Sequence, residues 1–385
     1  EAKSLAECSC QIVRCCLKTD AKGGNFLKQK SVWPLRAAGV GMTLVLLGLV
    51  ALGIFAASRR GLDSGVIRAG DRTLDNAQLA YYYWSEYFYF SGAYGEYLDG
   101  LVDFSVPLED QAHSEDLTWQ DYLLEETLQT VRETLAMTAQ AEAEGFTLPA
   151  EDQEALETVV ENFRQAAGET GYESLPAYLA ASYGDGAGEE SFIAYLTDAH
   201  LAAAYADSLY AAIDPSEEEV AGYYESHAGE YLENYGVTRE DGPMPHGVCL
   251  SFETPAEARQ VYTDWQENGG THDLLNNLGA AHLGETGELT AVIPGSVGEA
   301  AEAWFYDEAR LPGDAAVVSE EDGTASICYY VAAGETTYWQ TLAEEDLRHE
   351  TYQNRYLEIV NGLDFAVNYD KIRLTPPDGL YEAAP

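Results

Sequence analysis

Positive charge is scarce in this sequence. Only 20 Lys and Arg stand against 66 Asp and Glu in 385 residues, a formal net charge of −46. The scarcity is uneven: residues 1–60 carry 9 basic and 3 acidic residues, and the rest of the chain carries 11 and 63. A body this acidic repels phosphates, which excludes nucleic acid as a partner. The same charge keeps the chain soluble and favours basic or unfolded polypeptides through long-range attraction. Cysteine is nearly absent after residue 60. Of six in all, Cys8, Cys10, Cys15 and Cys16 crowd the first stretch, and only Cys249 and Cys328 follow. The CxC and CC spacings suit a soft metal or acyl chains, beside the plainer reading of reduced thiols. Cys249 and Cys328 both lie in apolar strand-like runs, so one disulfide between them is allowed and none is required. Signatures of common catalysts are missing too. There is no HExxH and no Gly-x-Ser-x-Gly, and "GDGAGEE" at 184–190 is too poor in basic and hydroxyl residues to cradle a phosphate. His272 and His282 stand ten residues apart without a further histidine at ligand spacing, so neither a metal nor another cofactor is expected.

One long uncharged run is present. "AAGVGMTLVLLGLVALGIFAAS", residues 37–58, is long enough to span a hydrocarbon core of ~30 Å as a helix. It exceeds the ~7–15 apolar residues of a signal-peptide core, although Ala56, Ala57 and Ser58 leave a cleavage site conceivable. No Cys follows closely, which argues against a lipoprotein anchor. Seven basic residues precede the run and place the N-terminus inside; Arg59 and Arg60 on the far side oppose that orientation. The expected arrangement is a cytoplasmic basic tail (1–36), a single span or uncleaved signal anchor (37–58), and an acidic ectodomain outside the cytoplasm at the cell membrane.

The ectodomain reads as helical first and mixed later. "DNAQLAYYYWSEYFYF" opens with Asp75 or Asn76 as N-cap and carries aromatics all round, the pattern of a helix surrounded by others. Thr118 caps a second helix that Gly145 stops, and Pro149 opens a third. Further helices follow on both sides of the Gly-rich "GDGAG", and Asp214 or Ser216 caps one more. After the loop "GVTREDGPMP" the period changes. "HGVCLSF" reads as a strand, "TPAEARQVYTDWQENGG" and "HDLLNNLG" as helices, "GEAAEAWFYDEARLPGD" as another, and "AAVVSEEDGTASICYYVAAGE" as a hairpin turning at "EEDG". A long helix from about Tyr338 and a terminal strand-like "FAVNYDKIRL" close the chain. The spacing thus predicts helices over 70–236, a compact α+β module over 240–335, and a returning helical segment over 336–385.

Across residues 74–365 this order resembles the extracytoplasmic foldases of the PrsA and SurA type, a helical chaperone domain with a parvulin-like peptidyl-prolyl isomerase module inserted before its last helix. The resemblance rests on "NAQLAYYYWSEYFYF" and "PSEEEVAGYYESHAGEY" in the helical part. In the module it rests on "PHGVCLSF", "ETGELT", "AWFYDEARLPGD" and "TASICYYV". It implies an α+β fold class, an all-α chaperone domain with an inserted parvulin-like module, to which the apolar run 37–58 adds one N-terminal transmembrane helix. The activity it implies is cis/trans isomerisation of X–Pro bonds in unfolded or nascent exported polypeptides. Such a site grips proline in an apolar pocket and stabilises the twisted amide with a few oriented polar groups, over a barrier of ~18–20 kcal/mol. By position His246 matches the family's first-strand histidine. Trp304 or Phe305 matches the aromatic wall and Ile293 part of the floor, with Cys249 and Ile327 expected to line the same groove. Three positions depart from the pattern. Ile327 stands near the closing-strand histidine, His282 is the polar residue of "LGAAHLG" where a Cys or Asp is expected, and Pro245 replaces an Arg.

Two functions therefore stay open at the level of sequence. One is an isomerase that speeds the X–Pro step, which takes ~10–100 s uncatalysed. The other is a membrane-tethered holdase whose aromatics, 27 of them Tyr, shield unfolded chains while the module is an inactive arm. A cell-surface structural protein that uses the fold only as a scaffold is the third, plainest reading.

Overall fold

The computed structural model describes residues 65–95, 97–98, 100–184, 186–284 and 286–381. The expected cytoplasmic tail and the apolar run 37–58 fall outside the described residues. Among the described residues no helix is long and apolar enough to cross a membrane. The chain divides into two compact units, one of residues 65–213 and 351–381 and one of residues 214–350.

The first unit is built round one helix. Asp75 accepts from the Gln78 backbone N–H at 2.9 Å while the Gln78 side chain accepts from Asp75 N–H at 3.0 Å, a capping box that starts α1 (Asn76–Tyr94). Tyr81, Tyr82, Tyr83, Trp84, Tyr87 and Phe88 of α1 are all buried, so the aromatics on every face are core. The helix is enclosed by α2 (Trp119–Ala143), α4 (Leu175–Tyr183) and α5 (Glu189–Ala211), with α3 (Ala150–Glu169) packed on α5. Thr118 caps α2 through a box with Asp121, and Gly145 at φ 71° ends it. α2 packs along α5, where Ala136, Met137 and Ala141 share a cluster with Leu201, Ala202, Tyr205 and Ala206, and the Thr138 hydroxyl donates to the Asp198 carbonyl at 3.1 Å.

A three-stranded sheet stands here, of which the sequence marks only the last strand, at the start of "FAVNYDKIRL". Strands β1 (Ile67–Ala69) and β2 (Arg72–Leu74) form a hairpin about Gly70, whose φ of 59° favours glycine. The late strand Phe365–Val367 pairs antiparallel with β1, joining the two ends of the unit's chain. The guanidinium of Arg72 grips Asp198 of α5 with two bonds of 2.9 and 2.6 Å. β1 and β2 have only three residues each, too few for an alternation to register.

In the second unit, Ser216 and Glu219 form the capping box of α6 (Glu217–Tyr235). Val220, Tyr224 and Tyr231 of α6 pack on Trp339 and Ala343, and the Tyr231 hydroxyl donates to Asp346 at 2.7 Å. That cluster is why the division falls at 213/214 rather than near 236, and why Tyr338–Gly362, the last helix, is shared between the units at 350/351. The remainder is a four-stranded antiparallel sheet with three helices, in the chain order β3 (His246–Phe252), α7 (Pro255–Glu267), α8 (His272–Leu283), β4 (Glu288–Leu289), α9 (Glu299–Phe305), β5 (Ala315–Ser319) and β6 (Ala325–Ala332). Its spatial order is β4–β3–β6–β5, and the β5–β6 hairpin turns at residues 320–324 as the sequence predicts.

His200 of α5 is 5% exposed, and burial holds its imidazole below the usual histidine range. An unfolded histidine titrates near pH ~6.5. Below that pH the unfolded chain therefore binds more protons than the folded one, and stability falls as the pH drops from neutral. In urea titrations followed by far-UV circular dichroism, His200→Gln should flatten that loss by up to about 1.4 kcal/mol per pH unit between about pH 7 and pH 5.5. Equal slopes for the two proteins would show that His200 is not the group responsible.

Candidate functional site

Side-chain parity along β3 and β6 decides what the small sheet can offer. Val248, Leu250 and Phe252 with Ala325 and Ile327 form one face, sealed by Ala258, Val261 and Trp265 of α7 and Leu275 of α8. Gly247, Cys249 and Ser251 alternate with them and belong to the other face, together with Ser326, Cys328 and Tyr330. There α9 lies across the sheet and buries Ala301 and Phe305 against Cys328, Tyr330 and Val292.

Two details hold α9 in place. The carboxylate of Glu320, from the hairpin turn, accepts the backbone N–H groups of Ala300 at 2.9 Å and Ala301 at 3.0 Å, satisfying donors that the helix start leaves free. Gly247 supplies the room: a Cβ there would overlap the Phe305 ring and stand 2.7 Å from the Tyr329 carbonyl oxygen. Trp304 is half-buried and meets Phe305 edge-on at 5.0 Å, with the Arg310 guanidinium 4.7 Å above its ring. The Tyr306 hydroxyl donates to the Val292 carbonyl at 2.7 Å, and burial pushes that phenol well up. Val292 N–H in turn donates to the Pro245 carbonyl at 2.7 Å, so Ile293 and His246 each stand one residue from the same hydrogen bond.

The residues expected from sequence are thus brought together only in part. Cys249, Trp304 and Phe305 share one cluster, and Ile293 borders it. His246 is exposed at the first position of β3, opposite Ala332, with a bulge between it and Gly247; its imidazole has no hydrogen-bond partner among the described residues. Ile327 is a correction. It is fully buried opposite Leu250 on the face sealed by α7 and cannot line a groove with Trp304. The side chain of His282, at the end of α8, lies outside the described residues. Sequence reasoning missed Gly247, Glu320, Tyr306 and Tyr330. Of these only Gly247 left a signal, since glycine inside a strand marks close approach of another group. His272, expected to be unremarkable, lies 3.2 Å from Glu288 on the edge formed by α8 and β4. Among the described residues no group of three or more His, Cys, Asp or Glu could hold a metal.

A second candidate lies within the first unit. A cavity of about 720 Å³ is lined by Tyr87, Phe88, Phe104, Tyr172, Tyr178 and Leu380. Among the described residues Asp378 is the charged residue of its wall, and no basic side chain lines it. The Tyr87 hydroxyl donates to the Phe104 carbonyl at 2.7 Å, and the Gln111 side chain bonds both the N–H and the carbonyl of Asp103 at 2.7 Å. These bonds fix the 102–107 loop as one wall. Asp378 N–H donates to the Ala181 carbonyl at 2.8 Å, fixing residues 377–380 as another. Of the lining residues Tyr172 is itself exposed; elsewhere in the same unit Tyr97 is 84% exposed and Leu101 66%.

No family model matches the chain, and no curated protein does. Among solved structures, the chain is similar to the foldase PrsA of Lactococcus lactis at 12% identity and a TM-score of 0.33, over 80% of this chain and 96% of that one. PrsA of Streptococcus pneumoniae gives 12%, 0.29, 71% and 97%, and the peptidyl-prolyl isomerase PrsA of Bacillus cereus 12%, 0.21, 73% and 96%.

Replacing Gly247 by Ala should cost the second unit about 1–3 kcal/mol, because Phe305 must leave its place or the strand must shift. The control Ser319→Ala, at an exposed strand position, should stay within about 0.5 kcal/mol. Urea unfolding followed by Trp fluorescence reads both, and equal midpoints would contradict the packing role given to Gly247.

Proposed function

We propose that this chain is an extracytoplasmic protein-folding factor, tethered through residues 37–58, that binds unfolded exported polypeptides and shields them without needing X–Pro catalysis. The observation that carries the reading is the open cavity lined by Tyr87, Phe88, Phe104, Tyr172 and Tyr178, with Tyr172 left exposed, in a chain with too few basic residues to repel cationic clients. Contiguous apolar groups left in water mark interaction sites. Tyrosine suits varied clients because it offers a large apolar face and a polar tip at low entropic cost.

The small sheet supports the same preference. Isomerisation calls for polar groups aimed at the twisting amide and held there before the substrate arrives. His246 stands one residue from the hydrogen bond that borders Ile293, its ring has no hydrogen-bond partner among the described residues, and the closing-strand residue opposite it is Ala332. A proline can rest on Trp304, but the second polar group that a parvulin-like site implies has no counterpart in Ile327, which faces the opposite core. The module therefore serves as a peptide-contacting arm. The resemblance to PrsA-type foldases agrees with that role and with an address outside the cytoplasm.

The test pairs two assays on the same ectodomain, residues 59–385. Aggregation of a denatured basic client should be suppressed equally by the wild type and His246→Ala, and proline isomerisation in a protease-coupled peptide assay should stay within about twofold of the uncatalysed rate. Turnover far above that rate, lost in His246→Ala with helix content intact, would replace the holdase reading by the isomerase one.

A further inference from the structure

We propose that Cys249 and Cys328 form a reversible dithiol–disulfide pair that staples the two central strands of the small sheet. This inference stands apart from the function proposed above, since it rests on the register of β3 against β6. The two cysteines are direct antiparallel partners, so their side chains leave the sheet on the same face. They also occupy a non-hydrogen-bonded pair. Cys249 N–H donates away from β6, to the Gly287 carbonyl at 2.8 Å. On the other side, Tyr330 exchanges its backbone bonds with Gly313 and Asp314 at 2.9 and 2.8 Å, so by the two-residue period Cys328 also turns its N–H and carbonyl towards β5. Partners at such positions have Cα atoms about 4.5 Å apart, inside the ~4.4–6.8 Å over which a disulfide closes.

Both cysteines are free thiols. They lie on the α9 face, where Cys249 is half-buried and Cys328 is fully buried. An oxidant therefore reaches Cys249 first. The hydrogen bond from Cys328 holds the Cys249 thiol below its usual range, while donating that bond and burial push Cys328 up. The roles are accordingly distinct: Cys249 attacks and Cys328 resolves. With a low-molecular-weight disulfide such as oxidised glutathione as co-reactant, the Cys249 thiolate attacks one sulfur. The glutathione S–S bond breaks, one glutathione thiolate leaves, and a mixed disulfide remains on Cys249. Cys328 then loses its proton and attacks the Cys249 sulfur, expelling the second glutathione as a thiolate that takes up the proton. Two protein thiols are oxidised to one disulfide, and one glutathione disulfide is reduced to two thiols.

The closed staple would lock β3 to β6 directly beneath α9, the helix that presents Trp304 and Phe305. The linked residues stand 79 apart in sequence, a loop long enough for the bridge to stabilise the unit by restricting the unfolded chain.

Peptide mapping by mass spectrometry of the full chain, equilibrated in glutathione buffers and then alkylated, tests the proposal. In the oxidised buffer the peptides holding Cys249 and Cys328 should appear linked, two hydrogens lighter than their sum, and dithiothreitol should restore two alkylatable thiols. The linked protein should also unfold at a higher urea concentration than the reduced one. In Cys328→Ala the mixed disulfide with glutathione should accumulate on Cys249, while in Cys249→Ala the remaining Cys328 should stay unmodified. Separate alkylation of both cysteines in the wild type under oxidising conditions overturns the proposal, as does glutathione on Cys328 in preference to Cys249. If either variant fails to fold, the wild-type map alone decides.

Discussion

A helix with aromatic rings on every face can exist in water only if it is surrounded, and that constraint organises the larger unit of this protein. Tyr81, Tyr82, Tyr83, Trp84, Tyr87 and Phe88 are all buried in α1. Each such ring contributes roughly 2–3 kcal/mol when removed from water. Meeting that demand takes helices on several sides, and α2, α4 and α5 provide them. Tyrosine adds a second demand, because a buried hydroxyl needs a partner. Tyr81 finds the Gly188 carbonyl at 2.9 Å and Tyr87 the Phe104 carbonyl at 2.7 Å. The second of these bonds turns a polar loop into a cavity wall. The cavity wall is thus a by-product of how Tyr87 satisfies its own hydroxyl, whereas the buried Tyr82 hydroxyl of the same helix has no partner among the described residues.

The smaller unit obeys a different rule, the strict alternation of a two-sided sheet. One face is filled by aliphatic residues and closed by α7 and α8. The other is smaller and more mixed, with Gly247 admitting Phe305 and two facing thiols beneath α9. Glu320 ties the hairpin turn to the start of that helix, so the aromatic pair Trp304 and Phe305 is positioned by a residue remote in sequence. Pre-organised support of this kind suits a binding surface. Catalysis would ask in addition for oriented polar groups around His246, and the ring there is exposed and unsupported.

Much of this was legible in the sequence, and the reasons differ by element. Caps at Asp75, Thr118 and Ser216 were readable because each cap residue stands directly before an apolar-periodic run, and their side chains close boxes with Gln78, Asp121 and Glu219. The hairpin at 320–324 was readable because its turn residues separate two β-rich runs. Ile327 was misplaced because resemblance aligns positions along a strand, whereas function depends on parity, and a shift of one residue moves a side chain to the opposite face. Of the sheet, Phe365–Val367 was legible at the start of the strand-like "FAVNYDKIRL", whereas Ile67–Ala69 and Arg72–Leu74 left no periodic trace because each is three residues long, and the pairing itself spans nearly 300 residues. The grouping of α6 with the small sheet depends on Trp339 and Ala343, a contact across more than 100 residues that no local pattern announces.

The central claim is that the aromatic cavity of the helical unit, rather than His246, binds unfolded chains. It is tested most directly by fluorescence anisotropy titration of a labelled basic peptide containing several aromatic residues, against the wild type, Phe104→Asp and His246→Ala at matched low salt. The account predicts that Phe104→Asp weakens binding at least tenfold, about 1.4 kcal/mol, while His246→Ala stays within about twofold of the wild type. Unchanged affinity in Phe104→Asp, with affinity lost in His246→Ala, would contradict it.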